Sequence, residues 1–163
     1  MYSGNQQLIN MRDTINDMRP VSLATLVVVD SFNYSHSVNP FEDSFGYRHH
    51  ETFRFNPGHA FDYARGDNSF AVYNLAGRYT HFSAEIVAES GIRSDVTFLI
   101  EITLDDNVTP VAVVEGFNIV TGATLIEADI SGATTMVITV RAATGRNRAG
   151  RSPIRLVNAV LER

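Results

Sequence analysis

The sequence predicts an antiparallel β-sandwich. From Val21 onward apolar residues recur with a period of two, in short β-branched runs bounded by Gly, Asn, Asp and Pro. Those runs succeed one another with almost no helical pattern between them, which excludes a sheet of βαβ units and leaves a sandwich or barrel.

Ahead of the first strand stands a different pattern. Leu8, Met11, Ile15 and Met18 are spaced by three, four and three, so residues 1–20 are expected to hold one short amphipathic α-helix. Ser3 or Asn5 would cap its start, and Pro20 ends it by disfavouring a helical Arg19. An isolated helix of this length is marginal in water unless its stripe is covered. The stripe either packs on the sandwich, forms a seam for self-association, or links to a neighbour.

Residues 21–163 form the predicted β domain. The clearest strand is 95–104, where Val96, Phe98, Ile100, Ile102 and Leu104 alternate with Thr97, Leu99, Glu101 and Thr103. Met136, Ile138 and Val140 do the same in 134–141, and Phe82, Ala84 and Ile86 in 80–88. Further strands are expected at 23–29, 47–55, 70–75, 111–115, 124–129 and 154–161. Turn chemistry falls between them at Ala76-Gly77, Asp105-Asp106-Asn107, Thr121-Gly122 and Ser131-Gly132. Three long polar segments, 39–46, 56–68 and 144–152, are expected as loops, where a rigid sandwich usually builds its binding surfaces.

Composition narrows the function classes. With 163 residues, 44% hydrophobic and 19% charged, the chain is a globular domain of ordinary size, and no apolar run is long enough for a membrane-spanning helix. A net charge of −5 argues against a general nucleic-acid binder. Cysteine is absent, so no disulfide framework or thiolate metal site exists. Every Lys or Arg position is Arg, a pattern of codon bias or of a need for planar, bidentate recognition. Met1 is followed by polar residues rather than a signal-peptide pattern, so cytoplasmic and, within a larger secreted protein, extracellular or cell-surface settings both stay open.

The stretch Val72-Tyr73-Asn74-Leu75-Ala76-Gly77-Arg78-Tyr79-Thr80-His81-Phe82-Ser83-Ala84-Glu85-Ile86 resembles the strand, turn and strand signature of the NPCBM/NEW2 domains, carbohydrate-binding modules grouped with family 51. The order of later segments also fits, through Val114-Glu115-Gly116-Phe117, Ala128-Asp129-Ile130-Ser131-Gly132 and Met136 to Val140. The resemblance spans roughly residues 19–162 and implies a jelly-roll, galactose-binding-like sandwich with a non-catalytic glycan-binding role. Where that family usually carries an acidic and aromatic stretch before the last strand, this chain has Arg146-Asn147-Arg148-Ala149-Gly150-Arg151.

Sugar sites combine aromatic faces with planar polar groups that bond hydroxyls in pairs. The chain has no Trp, and Tyr34, Tyr47, Phe61 and Tyr63 are the aromatics that could replace it. Tyr63 with Arg65 and Asp67 is one candidate site, the alternative being loop aromatics that cover an end of the core. Arg146, Arg148 and Arg151, with Arg155, form the second. Guanidinium groups there could fork onto the anionic groups of a glycan, pair across an interface to another copy, or simply be solvated.

No catalytic constellation emerges. His36, His49, His50, His59 and His81 sit in no metal or nucleophile motif. His49 and Glu51 share a strand face and could contribute to a metal site only with a third ligand. Calcium is the other ion to weigh: Asp105-Asp106-Asn107 offers oxygen ligands but has the spacing of a tight turn rather than a cage, and Asp95 or Glu89 could serve in another loop. The expected function is a non-enzymatic carbohydrate-binding module, possible partners being a glycan or a second copy; a structural, self-assembling sandwich is the competing reading.

Overall fold

In the computed structural model the described residues are 8, 11, 19–57, 68–92, 94–143 and 153–163. Alternating burial organises them into thirteen strands: β1 (Val21–Ser22), β2 (Val28–Phe32), β3 (Tyr34–Ser37), β4 (Phe41–Glu42), β5 (Arg48–His49), β6 (Thr52–Phe55), β7 (Asn68–Asn74), β8 (His81–Ala88), β9 (Phe98–Leu104), β10 (Ala112–Phe117), β11 (Thr124–Asp129), β12 (Thr135–Ala142) and β13 (Ile154–Glu162). All pairings are antiparallel.

One sheet runs β11-β8-β13-β6-β3 and the other β10-β9-β12-β7-β2, with β4 and β5 as a separate hairpin. The central strands are the most regular in sequence. On β12, Met136, Ile138 and Val140 are fully buried, and on β9 so are Phe98, Ile100 and Ile102. They meet Phe53, Phe55, Phe82, Ile86 and Leu156 from the facing sheet in one continuous core. Full burial of each such side chain contributes about 1.5–3 kcal/mol, which makes the inter-sheet layer the main source of stability.

The antiparallel sandwich expected from the sequence is therefore the observed fold. The predicted N-terminal helix falls almost wholly outside the described residues; Leu8 and Met11 are described, and both are exposed.

Several predicted boundaries change, and the strand expected at 95–104 begins only at Phe98, because residues 95–97 are turn and coil. The expected strand 23–29 is instead β1, a 3-10 turn at Leu23–Thr25, and β2. Ser22 Oγ accepts the Ala24 N–H at 3.1 Å, and Leu23 and Leu26, three apart, both turn into the core. The expected strand 47–55 breaks at His50 and Glu51, because β5 pairs only with β4 whereas β6 joins the large sheet. The expected loop 39–46 holds β4 and the hairpin turn, and β3 is a strand that no sequence signal predicts. Its residues, Tyr34-Ser35-His36-Ser37, are too polar to announce a strand, yet they pair along all of β6.

Two features of β13 shape its flank of the sheet. On one side its partner changes along its length, from β6 opposite Ile154–Val157 to β1 opposite Val160 and Leu161. Between them the register with β8 slips from Val157 to Val160, and Asn158 in that bulge has a φ of 52°. Asn tolerates this left-handed conformation better than most side chains.

Candidate functional site

Strand pairing gathers several connections at one end of the sandwich. Phe55 pairs with Ile154, Ile154 with Ala88, Arg141 with Asn68, and Phe117 with Phe98. The chain therefore enters or leaves segments 58–67, 89–97, 118–123 and 144–152 at that end, with the β2–β3 turn at Asn33 beside them. Tyr63, Arg65, Asp67, Arg146, Arg148 and Arg151, the predicted site residues, all lie outside the described residues.

A buried knot braces the described part of this end. Ser69 is fully buried; its Oγ accepts the Asn56 N–H at 3.2 Å and lies 2.7 Å from the Asn33 carbonyl oxygen and 3.2 Å from that of Phe32, the acceptors available to its single proton. The Asn56 N–H also reaches the Asn33 carbonyl at 3.0 Å. One hydroxyl thus ties β7, the β2–β3 turn and the exit from β6. The Tyr73 hydroxyl meets that of Tyr34 at 3.0 Å nearby, and burial pushes both phenols above their ordinary value.

Beside this end the β4–β5 hairpin joins the sheet through its backbone, the Ser44 N–H donating to the Ala88 carbonyl at 3.0 Å. Asp43 forms a backbone β-bridge with Glu89, and its carboxylate braces the hairpin itself, accepting from the N–H groups of Phe45 and Tyr47 and meeting His49 Nε2 at 2.9 Å. Burial alone would raise the Asp43 carboxyl; the hydrogen bond to His49 and the two backbone donors outweigh it and hold the group below the usual carboxylate range.

Glu89 is a second hub. Its Oε1 accepts from Arg54 Nε at 2.8 Å and Arg155 Nε at 2.7 Å, with Arg155 Nη2 at 2.6 Å. Arg155 also donates to Thr52 Oγ1 at 2.7 Å and lies over the Phe41 ring at 4.1 Å. Of the expected arginine group only Arg155 is among the described residues. It sits on β13 and is spent on Glu89, Thr52 and Phe41, because strand alternation aims it at the hairpin.

Where β13 changes partner, a notch of about 400 Å³ opens, lined by Ser22, Arg48, His49, His50, Glu51, Asn158, Ala159 and Val160. Glu51 is held at its rim by Ser22 Oγ at 2.5 Å and faces His36 at 3.4 Å. Asn158 Nδ2 donates to Glu85 at 2.6 Å. The sequence hints at this place only through the pair His49 and Glu51. They do not share a ligand: the break at His50 separates them, His49 turns to Asp43 and Glu51 to Ser22. Among the described residues no group of three or more His, Cys, Asp or Glu could hold a metal ion. The expected acidic turn is a brace, since Asp105 Oδ1 accepts the N–H groups of Thr134 and Thr135, each at 2.9 Å.

No protein-family model and no curated protein sequence matches this chain. Solved structures do. It is similar to the tandem CBM51 modules of Sp3GH98, a family 98 glycoside hydrolase from Streptococcus pneumoniae SP3-BS71, with TM-score 0.66 at 15% identity, covering 89% of this chain and 47% of that one. It is similar to the M60 catalytic domain with two CBM51 domains of ZmpB from Clostridium perfringens, TM-score 0.64 at 15% identity over 89% of this chain and 15% of that one. A third is the CBM51 from Clostridium perfringens GH95 in complex with methyl-galactose, TM-score 0.57 at 15% identity over 88% of this chain and 99% of that one. The chain thus spans less than half the length of the first two. The likeness establishes a shared β-sandwich fold.

Proposed function

We propose that this chain is a non-catalytic carbohydrate-binding module related to the NPCBM/CBM51 modules, which anchors a larger, surface-associated or secreted assembly to a glycan. The observation that carries the reading is the match over nearly the whole chain to modules of that kind, one of them holding methyl-galactose. The NPCBM-like signature from Val72 to Ile86 adds to it. In the structure it forms the end of β7, the Ala76-Gly77 turn and most of β8, with Tyr73, Leu75, Tyr79 and Phe82 as core residues.

The binding surface is assigned to the end where segments 58–67 and 144–152 join the sandwich, with Tyr63, Arg65, Asp67, Arg146, Arg148 and Arg151 as contact residues. The arginines favour an anionic glycan, because each guanidinium forks onto two oxygens of a carboxylate or sulfate.

A glycan array with neutral, uronate-bearing and sulfated members tests this reading. Binding is expected on the anionic members, weakened at least tenfold in Arg148→Ala, Arg151→Ala or Tyr63→Ala. Absence of binding to every member at high protein concentration would overturn it. A stable oligomer by light scattering, lost in Met11→Asp or Ile15→Asp, together with no glycan binding, would put self-assembly in its place.

A further inference from the structure

We infer that the notch beside β13 is a second binding site, taking one neutral, hydroxyl-rich ring; this rests on the carbohydrate-binding reading and adds a subsite apart from the loop-bearing end. Its volume, about 400 Å³, falls within the range of roughly 300–1,000 Å³ usual for small-molecule sites.

The notch arises from how the sheet is built. β6 stops at Thr52 and β1 begins its pairing at Val160, so the flank of β13 between them is left without a strand neighbour. The bulge at Asn158 falls at that gap and turns its amide toward Glu85. Bulges recur where a side chain must be re-aimed at a site.

The lining matches a ring that offers both donors and acceptors. Arg54 and Arg155 are spent on Glu89, and Arg141 lies against Glu101. Arg48, by contrast, forms no ion pair among the described residues, although Glu42 stands opposite it in the β4–β5 pairing. Its guanidinium can donate to adjacent hydroxyl oxygens in a fork. Glu51 supplies the opposite need, a carboxylate that accepts from hydroxyl protons while Ser22 fixes its position. Ala159 and Val160 form an apolar floor for C–H groups, and the exposed His50 ring stands at the rim.

Charge decides the ligand class. An anion drawn to Arg48 would also meet Glu51, and a cation drawn to Glu51 would meet Arg48. A neutral polyol satisfies both without burying an unpaired charge. The notch therefore prefers neutral sugars, in contrast to the arginine-bearing end.

Titration of the ¹⁵N-labelled chain with methyl-galactoside, N-acetylglucosamine and galacturonate, monitored by amide shifts, distinguishes the outcomes. The neutral sugars are expected to shift the amides of Arg48, His50, Glu51, Asn158 and Val160. Arg48→Ala, an exposed change, should weaken that response at least fivefold, and Asn158→Gly, which keeps the backbone conformation, should weaken it as well. Shifts confined to Asn33, Asn56, Ser69 and Glu89, unaffected by Arg48→Ala, would overturn the notch and leave the carbohydrate-binding reading standing. A stronger response to galacturonate than to methyl-galactoside at the notch would overturn the neutral-ring assignment. Silence at tens of millimolar of all three, with a blank array, would overturn both.

Discussion

Replacing Glu89 with Gln should destabilise the protein by about 2–4 kcal/mol, a large share of a domain's net stability. The carboxylate receives three guanidinium N–H contacts at 2.6–2.8 Å, from Arg54 and Arg155. Side-chain exposures are 20% for Glu89, 30% for Arg54 and 14% for Arg155, so water screens the cluster only in part. Hydrogen bonds to charged groups contribute roughly 1.5–3 kcal/mol each, against 0.5–1.5 kcal/mol for neutral ones. Gln keeps a neutral acceptor but loses the charge, leaving two guanidinium groups side by side. The upper bound is the roughly 3–5 kcal/mol that accompanies removal of one partner from a fully buried pair.

Because the chain has no Trp, urea unfolding is best monitored by far-UV circular dichroism, with a thermal scan beside it. At about 2–4 °C per kcal/mol for a chain of this size, the midpoint should fall by roughly 5–15 °C. In an Arg155→Met background the same change should cost less, since the partners act as one network. A loss below about 0.5 kcal/mol, the level of an exposed ion pair, would refute the claim that the Glu89 carboxylate ties β6 to β13 through Arg54 and Arg155.

Other consequences are as concrete. Ser69→Ala should lower stability by about 1–3 kcal/mol and speed hydrogen exchange at the Asn56 amide, which loses one of its two acceptors; unchanged exchange there would dissolve the knot. Asp105 is exposed, and hydrogen bonds from Thr134 and Thr135 hold its carboxyl below the ordinary value. Its contribution is therefore fully present above the unfolded value near 4 and fades as pH falls through the folded value, so the stability gap between wild type and Asp105→Asn should close toward pH 2. The buried phenols act oppositely: above about pH 10 the unfolded chain ionises while Tyr34 and Tyr73 resist, so stability should fall with rising pH, less steeply in Tyr34→Phe.

How legible each element is in the sequence depends on the physical signal it carries. β9 and β12 are central, with one face on the core, so their alternation is strict and survives as a readable pattern. β3 and β4 are short, polar and peripheral; pairing with β6 and packing of the hairpin hold them, and neither leaves a period in the residues. The 3-10 turn at Leu23–Thr25 mimics a strand because the same apolar residues serve both. The Glu89 hub joins residues 35 and 66 positions apart in the chain, and no spacing rule reaches that far. The notch is further still from legibility, being a gap between two strands rather than a motif.

The pairing of Val21 with Leu161 also has a bearing on how such a module would be mounted. Entry to the β domain and exit from its last strand lie side by side, seven residues along β13 from Ile154, or about 23 Å at 3.3 Å per residue. Any polypeptide joined to either side would hang from the same pole, and the pole carrying segments 58–67 and 144–152 would face outward from it. Tethered this way, the sandwich would act as a spacer between its attachment point and its far tip. Copies strung in series could each offer that tip to an extended polymer, and avidity rather than single-site affinity would set the strength of attachment.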